Sequence, residues 1–303
     1  MALTDKLVYC DIDKPVPTDN EVLVKVIAVS LNAADYRSIK MGLIPKRKIL
    51  GSDVAGVVDS TGSNIKQYRP GDDVIGELAG YGFGGLAEYA VAPERVLVPK
   101  PAGMSFRDAA ALPMAGLTAL KALNKGKIRE GHKVLIIGSS GGVGTFALQL
   151  AKYFGGMITA VCNTSHVEQA NALGADHVID YTEEDFTKSN NLYDLIVAVN
   201  GSYSLTACKR ILNPDGVYVM VGGALSQIIK SILFGWMLSF GSRKMRFLPV
   251  KSSQKDLEFI VKLASEGKIR PVIDSCFPLD KTADAMRYLS KGHAGGKVVI
   301  NIH

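Results

Sequence analysis

The sequence predicts an α/β protein that combines a doubly wound parallel sheet with a second, β-rich domain. In residues 134–152, a branched apolar run leads into a glycine-rich turn and then into an amphipathic helix. Strand-like and helix-like segments keep alternating as far as residue 221, which is typical of a parallel sheet covered by helices. The first hundred residues instead contain short strand-like segments separated by glycines, which indicates a β-rich domain.

The β-rich domain is predicted over residues 1–104, and the chain is expected to return to it over residues 251–303. Apolar residues alternate or run together in its strand-like segments, which are predicted at 21–29, 49–58 and 73–75. After an amphipathic helix at 256–264, the tail shows a strand, helix, strand pattern that we expect to rejoin this domain.

The parallel-sheet domain is predicted over residues 105–250. Ser105 with Asp108 three residues later is a helix start of the capping-box kind, and Pro113 should split the helix that follows. Later helical segments are predicted near 166–173 and 202–212. Strands after the first are predicted at 158–162, 177–181, 195–199, 217–221 and, at the sheet edge, 245–250.

The glycine-rich turn predicts a phosphate-binding site, because a helix N-terminus offers unpaired N–H groups and glycine lets an anion approach the backbone. Against the dinucleotide fingerprint G-x-G-x-x-G, Ser139 stands at the first glycine, with Gly138 just before it, and Gly141 and Gly144 hold the others. A tight turn in an enzyme that binds no nucleotide is the alternative. The loop residues expected to contact the cofactor are Ser139, Ser140, Gly141, Gly142 and Val143.

Composition and charge argue against several classes of protein. Hydrophobic residues make up 47% of the 303 residues and the formal net charge is +6, which suits a globular protein that attracts phosphorylated ligands. The sequence contains no basic run interleaved with aromatic residues, the pattern that would indicate nucleic-acid binding. The four cysteines are far apart, which favours reduced thiols and a cytoplasmic location. We find no signal-peptide pattern and no stretch apolar for long enough to span a membrane.

An ordered set of segments resembles one known family. The segments cover nearly the whole chain and read LNAAD, GSDVAGVV, PGDDVIG, GGLAEY, ALPMAGLTAL, VLIIGSSGGVGT, LGADHVIDY, GKIRPVI and GHAGGKVVI. They resemble the zinc-free quinone oxidoreductases of the medium-chain dehydrogenase/reductase superfamily, in the branch of the chloroplast-envelope quinone oxidoreductase homologue and the reticulon-4-interacting protein. The resemblance implies a GroES-like catalytic domain, a Rossmann domain, an active site in the cleft between them, and NADPH-dependent reduction of quinones or α,β-unsaturated carbonyls.

The sequence departs from related families at two places. Zinc-dependent relatives have Gly-His-Glu where this chain has Gly51, Ser52 and Asp53, and the first hundred residues contain one cysteine and no histidine. Since a zinc site needs about four N, S or O ligands, the sequence predicts that no metal is bound. Gly295 stands where the family often has a basic residue that helps hold a 2′-phosphate, although Lys297 is close by in sequence.

The segment after the second Rossmann strand predicts NADPH as the cofactor. NAD-preferring enzymes place an acidic residue there to bind the ribose 2′-OH, whereas no acid follows Cys162 until Glu168. By resemblance, His166 stands where NADPH-using members often carry lysine, and Tyr181 matches one of their tyrosines. Alternatively, His166 is a solvated residue at a helix start and Tyr181 is a packed aromatic. The cofactor-binding candidates of this region are Asn163, Thr164, Ser165, His166 and Tyr181.

Candidate catalytic residues come from both domains. By resemblance, Asn32 and Thr118 reach the nicotinamide side of the cleft. Tyr36 is a candidate proton donor, because a phenol can hydrogen-bond an oxyanion, and solvent is the alternative donor. A doubly wound sheet binds ligands at the carboxyl ends of its strands, where further cofactor contacts are expected from Asn200, Gly201 and Gly222.

Two alternatives to an NADPH-dependent reductase stay open. One is a nucleotide-binding scaffold or redox sensor with little turnover. The other rests on residues 225–240, an apolar helical stripe followed by Arg243, Lys244 and Arg246, which could lie on a membrane surface. The same stripe could line the active site or form a dimer contact, and a homodimer is the expected assembly.

Overall fold

The structure is a computed structural model that describes residues 7–42, 45, 48–199, 203–222, 241–249 and 251–302. Its strands are β1 (Glu21–Leu31), β2 (Asp53–Thr61), β3 (Asp73–Glu77), β4 (Tyr89–Pro93), β5 (Leu97–Pro99), β6 (Lys133–Ile137), β7 (Met157–Cys162), β8 (His177–Asp180), β9 (Tyr193–Ala198), β10 (Leu212–Met220), β11 (Lys244–Phe247), β12 (Ile273–Pro278) and β13 (Lys297–Asn301). Its helices are α1 (Ala33–Lys40), α2 (Phe106–Ala111), α3 (Pro113–Lys125), α4 (Gly142–Tyr153), α5 (Val167–Ala172), α6 (Leu205–Arg210), α7 (Gln254–Ser265) and α8 (Thr282–Ser290). Within these described residues, no helix has the length and apolar character that crossing a bilayer requires. The apolar stripe at 225–240 lies outside them.

The first of two compact units comprises Met1–Leu117 and Lys251–His303. Its sheet has the order β12-β13-β1-β2-β3-β5, and β4 also pairs with β1. Strand β1 takes the centre because its residues are almost all buried. The tail strand β13 pairs antiparallel with β1, with Ala28 opposite Asn301. The tail therefore returns to this sheet, as its strand, helix, strand pattern predicts.

The first unit extends further along the chain than the predicted boundary after residue 104. Ser105 caps α2, since its Oγ accepts a hydrogen bond from the Asp108 N–H at 3.1 Å, and α3 starts anew at Pro113. Both the helix start and the split are thus confirmed. However, α2 packs against β1, β2 and β13, with its alanine face fully buried. Because small side chains let α2 lie close on this sheet, residues 105–117 belong to the first unit.

The second unit, Thr118–Val250, contains a parallel sheet with the order β11-β10-β9-β6-β7-β8. This is the strand order of the doubly wound dinucleotide-binding fold, in which β6 and β9 flank the point where the order reverses. The buried branched residues of 134–137 fill its central strand, as predicted. The predicted fold class, a doubly wound parallel sheet together with a β-rich domain, is confirmed.

Candidate functional site

The glycine-rich turn lies at the carboxyl edge of the parallel sheet, between β6 and α4. Gly138 has a φ of +79°, a left-handed conformation that glycine adopts without strain. Gly141 is the N-cap of α4, and none of the described side chains caps this helix start. The first N–H groups of α4 therefore lack intrahelical partners, as an anion-binding helix N-terminus requires.

Two glycines of the turn differ in the space around them. A Cβ at Gly144 would lie 2.1 Å from the carbonyl oxygen of Gly138 and 2.7 Å from the Cα of Ser139, so α4 approaches the strand end too closely for a side chain. A Cβ at Gly141 would meet nothing nearer than the same carbonyl oxygen, at 3.9 Å. The space at Gly141 is therefore open, and this open position at a helix N-terminus fits a pyrophosphate group.

Ser139, which the sequence predicts to contact the cofactor, is hydrogen-bonded to β7. Its backbone N–H and its hydroxyl both donate to the carbonyl oxygen of Val161, each at 3.1 Å, and the residue is buried. Neither donor is left for a phosphate. Because Gly138 supplies the tight turn, Ser139 can anchor that turn to β7. The half-buried loop residues that keep their predicted place at the helix start are Ser140, Gly141, Gly142 and Val143.

The segments expected to meet the adenosine half of a dinucleotide follow β7 and β8. These strands pair with Cys162 opposite Asp180, so Asn163 and Tyr181 come next to each other at the sheet edge. Tyr181 is 46% exposed, and a short 3-10 helix over Thr164–His166 lies at the same edge. The structure thus brings together the predicted group Asn163, Thr164, Ser165, His166 and Tyr181.

An acidic hollow adjoins this group. Thr164 lines a depression of about 500 Å³ whose wall carries the carboxyl groups of Glu168, Asp180, Glu183 and Glu184. Hydrogen bonds from Thr164 and Thr182 hold the pKa of Asp180 below its usual value, so this group stays charged. Sequence reasoning considered only the residues after β7, whereas Asp180 ends β8 and Glu183 and Glu184 follow it. Such charges would repel a 2′-phosphate bound beside them.

The ends of β9 and β10 complete the carboxyl edge. A Cβ at Gly222 would lie 2.8 Å from the carbonyl oxygen of Val199, so glycine is required where the two strand ends converge. The Gly222 N–H donates to the carbonyl oxygen of Ala198 at 3.4 Å. The other two predicted contacts of this edge, Asn200 and Gly201, lie outside the described residues.

The first unit contains a buried polar network centred on Asn32. The two N–H donors of Asn32 Nδ2 are shared among three acceptors, Asp53 Oδ2 at 2.8 Å, Ser52 Oγ at 3.1 Å and the carbonyl oxygen of Ser30 at 3.2 Å. Its Oδ1 accepts a hydrogen bond from Lys297 Nζ at 2.6 Å. Both ends of the amide are therefore engaged within the unit. Contact of Asn32 with the nicotinamide stays a prediction.

Lys297 and Asp53 form the charged pair of this network. The Lys297 Nζ lies 3.5 Å from Asp53 Oδ2, with side chains only 3% and 0% exposed. Burial lowers the pKa of Lys297 and raises that of Asp53, and each charge opposes the effect on the other. Sequence reasoning considered Lys297 only as a substitute phosphate ligand. Lys297 begins an otherwise apolar strand, and this position is the sequence signal that its side chain is buried.

Two further carboxyl groups are buried in the same unit. Asp35 accepts hydrogen bonds from the N–H groups of Asn32 at 2.7 Å and Gly51 at 3.0 Å, so it ties its own loop to a second one. Burial raises the pKa of Asp35 to about 7. Glu77 accepts a hydrogen bond from the Ala79 N–H at 2.8 Å, and burial raises its pKa to about 7 as well.

The other two candidate catalytic residues lie on helices. Tyr36 is on α1, half-buried, with the Arg37 guanidinium 5.9 Å from its ring centroid. Thr118 is on α3 and 6% exposed. Tyr36 belongs to the first unit and Thr118 begins the second. Their catalytic roles stay predictions.

Comparison with known proteins decides the family. Residues 18–102 match the alcohol dehydrogenase GroES-like domain, and residues 173–300 match a family described as zinc-binding dehydrogenase. The chloroplast envelope quinone oxidoreductase homolog of Arabidopsis thaliana is 35% identical over 97% of this chain and 93% of its own length. This chain belongs to the quinone oxidoreductase family of the medium-chain dehydrogenase/reductase superfamily.

Two further relatives extend the family picture. The 2-methylene-furan-3-one reductase of Solanum lycopersicum is 34% identical over 93% of this chain and 72% of its own length. The structure of the quinone oxidoreductase from Coxiella burnetii has a TM-score of 0.87 at 30% identity, covering 97% of this chain and 94% of that chain. These quinone oxidoreductase relatives confirm the resemblance and support an oxidoreductase, in a superfamily whose members bind a nicotinamide cofactor.

Metal binding requires separate attention, because one matched family is described as zinc-binding. Across the described ranges, no group of three or more His, Cys, Asp or Glu side chains is arranged to hold a metal ion. At the position of the relatives' metal ligands, Asp53 is instead engaged with Asn32 and Lys297. The donor set there is an amide, a carboxylate and an ammonium group, which does not suit zinc.

Proposed function

We propose that this chain is an NADPH-dependent, zinc-independent reductase that transfers a hydride to a quinone or an α,β-unsaturated carbonyl. The observation that carries the proposal is the open Gly141 at the N-terminus of α4, at the reversal point of a doubly wound sheet. The quinone oxidoreductase and the furanone reductase among the relatives support the two acceptor classes.

The residues at the carboxyl edge of the parallel sheet would hold the cofactor. The N–H groups at the start of α4 suit the pyrophosphate, and Asn163 to His166 with Tyr181 suit the adenosine ribose. When bound, a reduced nicotinamide supplies a hydride to the acceptor. The reduced acceptor then takes up one proton, either from the Tyr36 phenol or from solvent. We assign Thr118 to the nicotinamide side.

Steady-state kinetics with a panel of acceptors tests this function. Oxidation of NADPH is followed at its absorbance maximum with quinones, enones and enals, and the product is checked for a quinol or a saturated carbonyl. Turnover with at least one of these classes is expected. A protein that binds the cofactor tightly and turns over none of them would instead be the scaffold or redox sensor that the sequence left as the alternative.

NADPH is expected to bind more tightly than NADH, by about tenfold. The missing acid after β7 and the hydrogen-bonding side chains there favour the 2′-phosphate, but the acidic hollow beside Thr164 keeps the difference small. Calorimetric titration with both cofactors measures the ratio. Equal affinity, or tighter binding of NADH, would contradict the proposal.

Removal of metal is expected to change neither activity nor thermal stability. The polar cluster around Asp53 is satisfied by hydrogen bonds and an ammonium group, so it has no need of a cation. The protein is dialysed against a chelator, and its metal content, kcat/KM and Tm are compared before and after. Stoichiometric zinc that leaves together with the activity would disprove zinc independence.

Assembly as a homodimer and a cytoplasmic location complete the proposal. The free thiols of Cys10, Cys162, Cys208 and Cys276 support a reducing compartment. The homodimer is an expectation from the apolar residues at 225–240.

A further inference from the structure

A second cavity lies at the amino edge of the parallel sheet; it shares Val178 and Glu184 with the acidic hollow beside Thr164 but contains none of the residues proposed to hold the cofactor. It has a volume of about 450 Å³ and is lined by residues at the starts of β6, β7, β8 and β9. Strand β7 has six residues, so this edge is about 20 Å from the carboxyl edge. The volume falls within the range of pockets that bind small molecules.

The floor of the cavity holds a buried phenol without a partner. Tyr193 is 3% exposed, and no group of the described chain makes a hydrogen bond of good geometry with its hydroxyl. The Thr159 and Asn191 side chains line the same cavity and lie near this hydroxyl, but neither makes a hydrogen bond of good geometry with it. A buried hydroxyl left without a hydrogen bond is unfavourable, so the site favours a ligand that supplies one.

The other lining residues indicate the polarity and charge of a suitable ligand. Met157 and Leu192, 50% and 39% exposed, provide apolar surface, and the buried Ile179 adds to it. The charged groups at the rim are mixed in sign, with Lys133 and Glu184 both present, so they do not select an anion or a cation. The cavity therefore suits a neutral molecule with an apolar body and one polar group at its inner end.

We propose that this cavity binds a small neutral phenol, with the ring between Met157 and Leu192 and the ligand hydroxyl on Tyr193 and Thr159. A hydroxyl both donates and accepts, which matches the two hydroxyl groups that face it. The proposal does not depend on the proposed reductase function, because it uses none of the residues assigned to that function.

Fluorine NMR with 4-fluorophenol tests the proposal on the whole protein. The wild-type chain is expected to bind the probe, and Tyr193→Phe is expected to bind it about fivefold more weakly, because one hydrogen bond is lost. Tyr193→Phe should fold normally, since it removes a hydroxyl that has no partner. Binding of 4-fluorophenol elsewhere would be the same in both proteins, so the difference reports this cavity alone.

Two controls make the result specific. Fluorobenzene lacks the hydroxyl, so its affinity should be unchanged by Tyr193→Phe. The variant Tyr68→Phe removes a phenol whose hydroxyl donates to the Leu97 carbonyl oxygen at 2.8 Å in the other unit, and it should keep full affinity for 4-fluorophenol. The proposal is overturned if the wild type does not bind 4-fluorophenol, if Tyr193→Phe binds it equally well, or if fluorobenzene shows the same loss.

Discussion

Replacement of Gly141 by aspartate is expected to abolish cofactor binding while the chain stays folded. A Cβ at this position would have no atom nearer than 3.9 Å, and the backbone there is extended, with φ −71° and ψ 169°. Aspartate is also a favoured N-cap, so its carboxylate should accept hydrogen bonds from the free N–H groups of α4. The variant therefore occupies the donors that a pyrophosphate needs and adds a repelling charge.

The expected loss of NADPH affinity is about a hundredfold or more, since two like charges near 4 Å at a protein surface repel by roughly 4 kcal/mol. Calorimetry measures the affinity, and urea unfolding followed by circular dichroism should show equal or slightly higher stability. The matched control Gly141→Asn keeps the cap without the charge, so it should bind NADPH more weakly than wild type and more tightly than Gly141→Asp. Unchanged affinity in a folded Gly141→Asp protein would mean that the phosphate binds elsewhere.

Replacement of Lys297 by methionine is expected to destabilise the first unit by about 3 kcal/mol at neutral pH. The change leaves the fully buried Asp53 carboxylate without its cation, and removing one partner of a buried pair typically costs that much. It also removes the hydrogen bond to Asn32 Oδ1. Denaturant unfolding of the two proteins, compared at the same pH, measures the difference.

The pH dependence of this loss distinguishes the charge from simple packing. Without Lys297, the folded-state pKa of Asp53 lies even further above its unfolded value, so the variant loses stability as the pH rises above about 4. The deficit should therefore shrink in acid, and the double variant with Asp53→Asn should recover part of it at neutral pH. Lys281, which pairs with Asp280 at the surface, is the control, and Lys281→Met should change stability by no more than about 0.5 kcal/mol. A deficit that is equal at all pH values would show that the buried charge is not its cause.

Local sequence patterns predicted helix starts, breaks and turns correctly where the residues that determine them are adjacent in the chain. The cap at Ser105 and the break at Pro113 depend on neighbouring residues, and both are present as predicted. The same holds for the strand, turn and helix around the phosphate site, because a branched run, a left-handed Gly138 and a helix start are adjacent in the chain.

Contacts between segments that are distant in sequence decided the features that local patterns did not predict. The pairing of β13 with β1 carries Lys297 to Asn32, 265 residues away in sequence, and so makes the Asn32 amide part of a buried network. Helix α2 belongs to the first unit because its alanines fit against β1 and β2, which its own sequence does not show. The acids after β8 reach Thr164 only because β7 and β8 end at one edge.

The sequence by itself determined the fold class, the family resemblance and the place of the glycine-rich turn, because these depend on periodicity, glycine placement and the order of motifs along the chain. Only the tertiary structure decided which polar groups are already satisfied. Ser139 donates to β7, Asn32 is held by Lys297, and Tyr193 is left without a partner. Hydrogen-bond satisfaction depends on which distant backbone and side-chain atoms come within about 3 Å, and no local pattern contains that information.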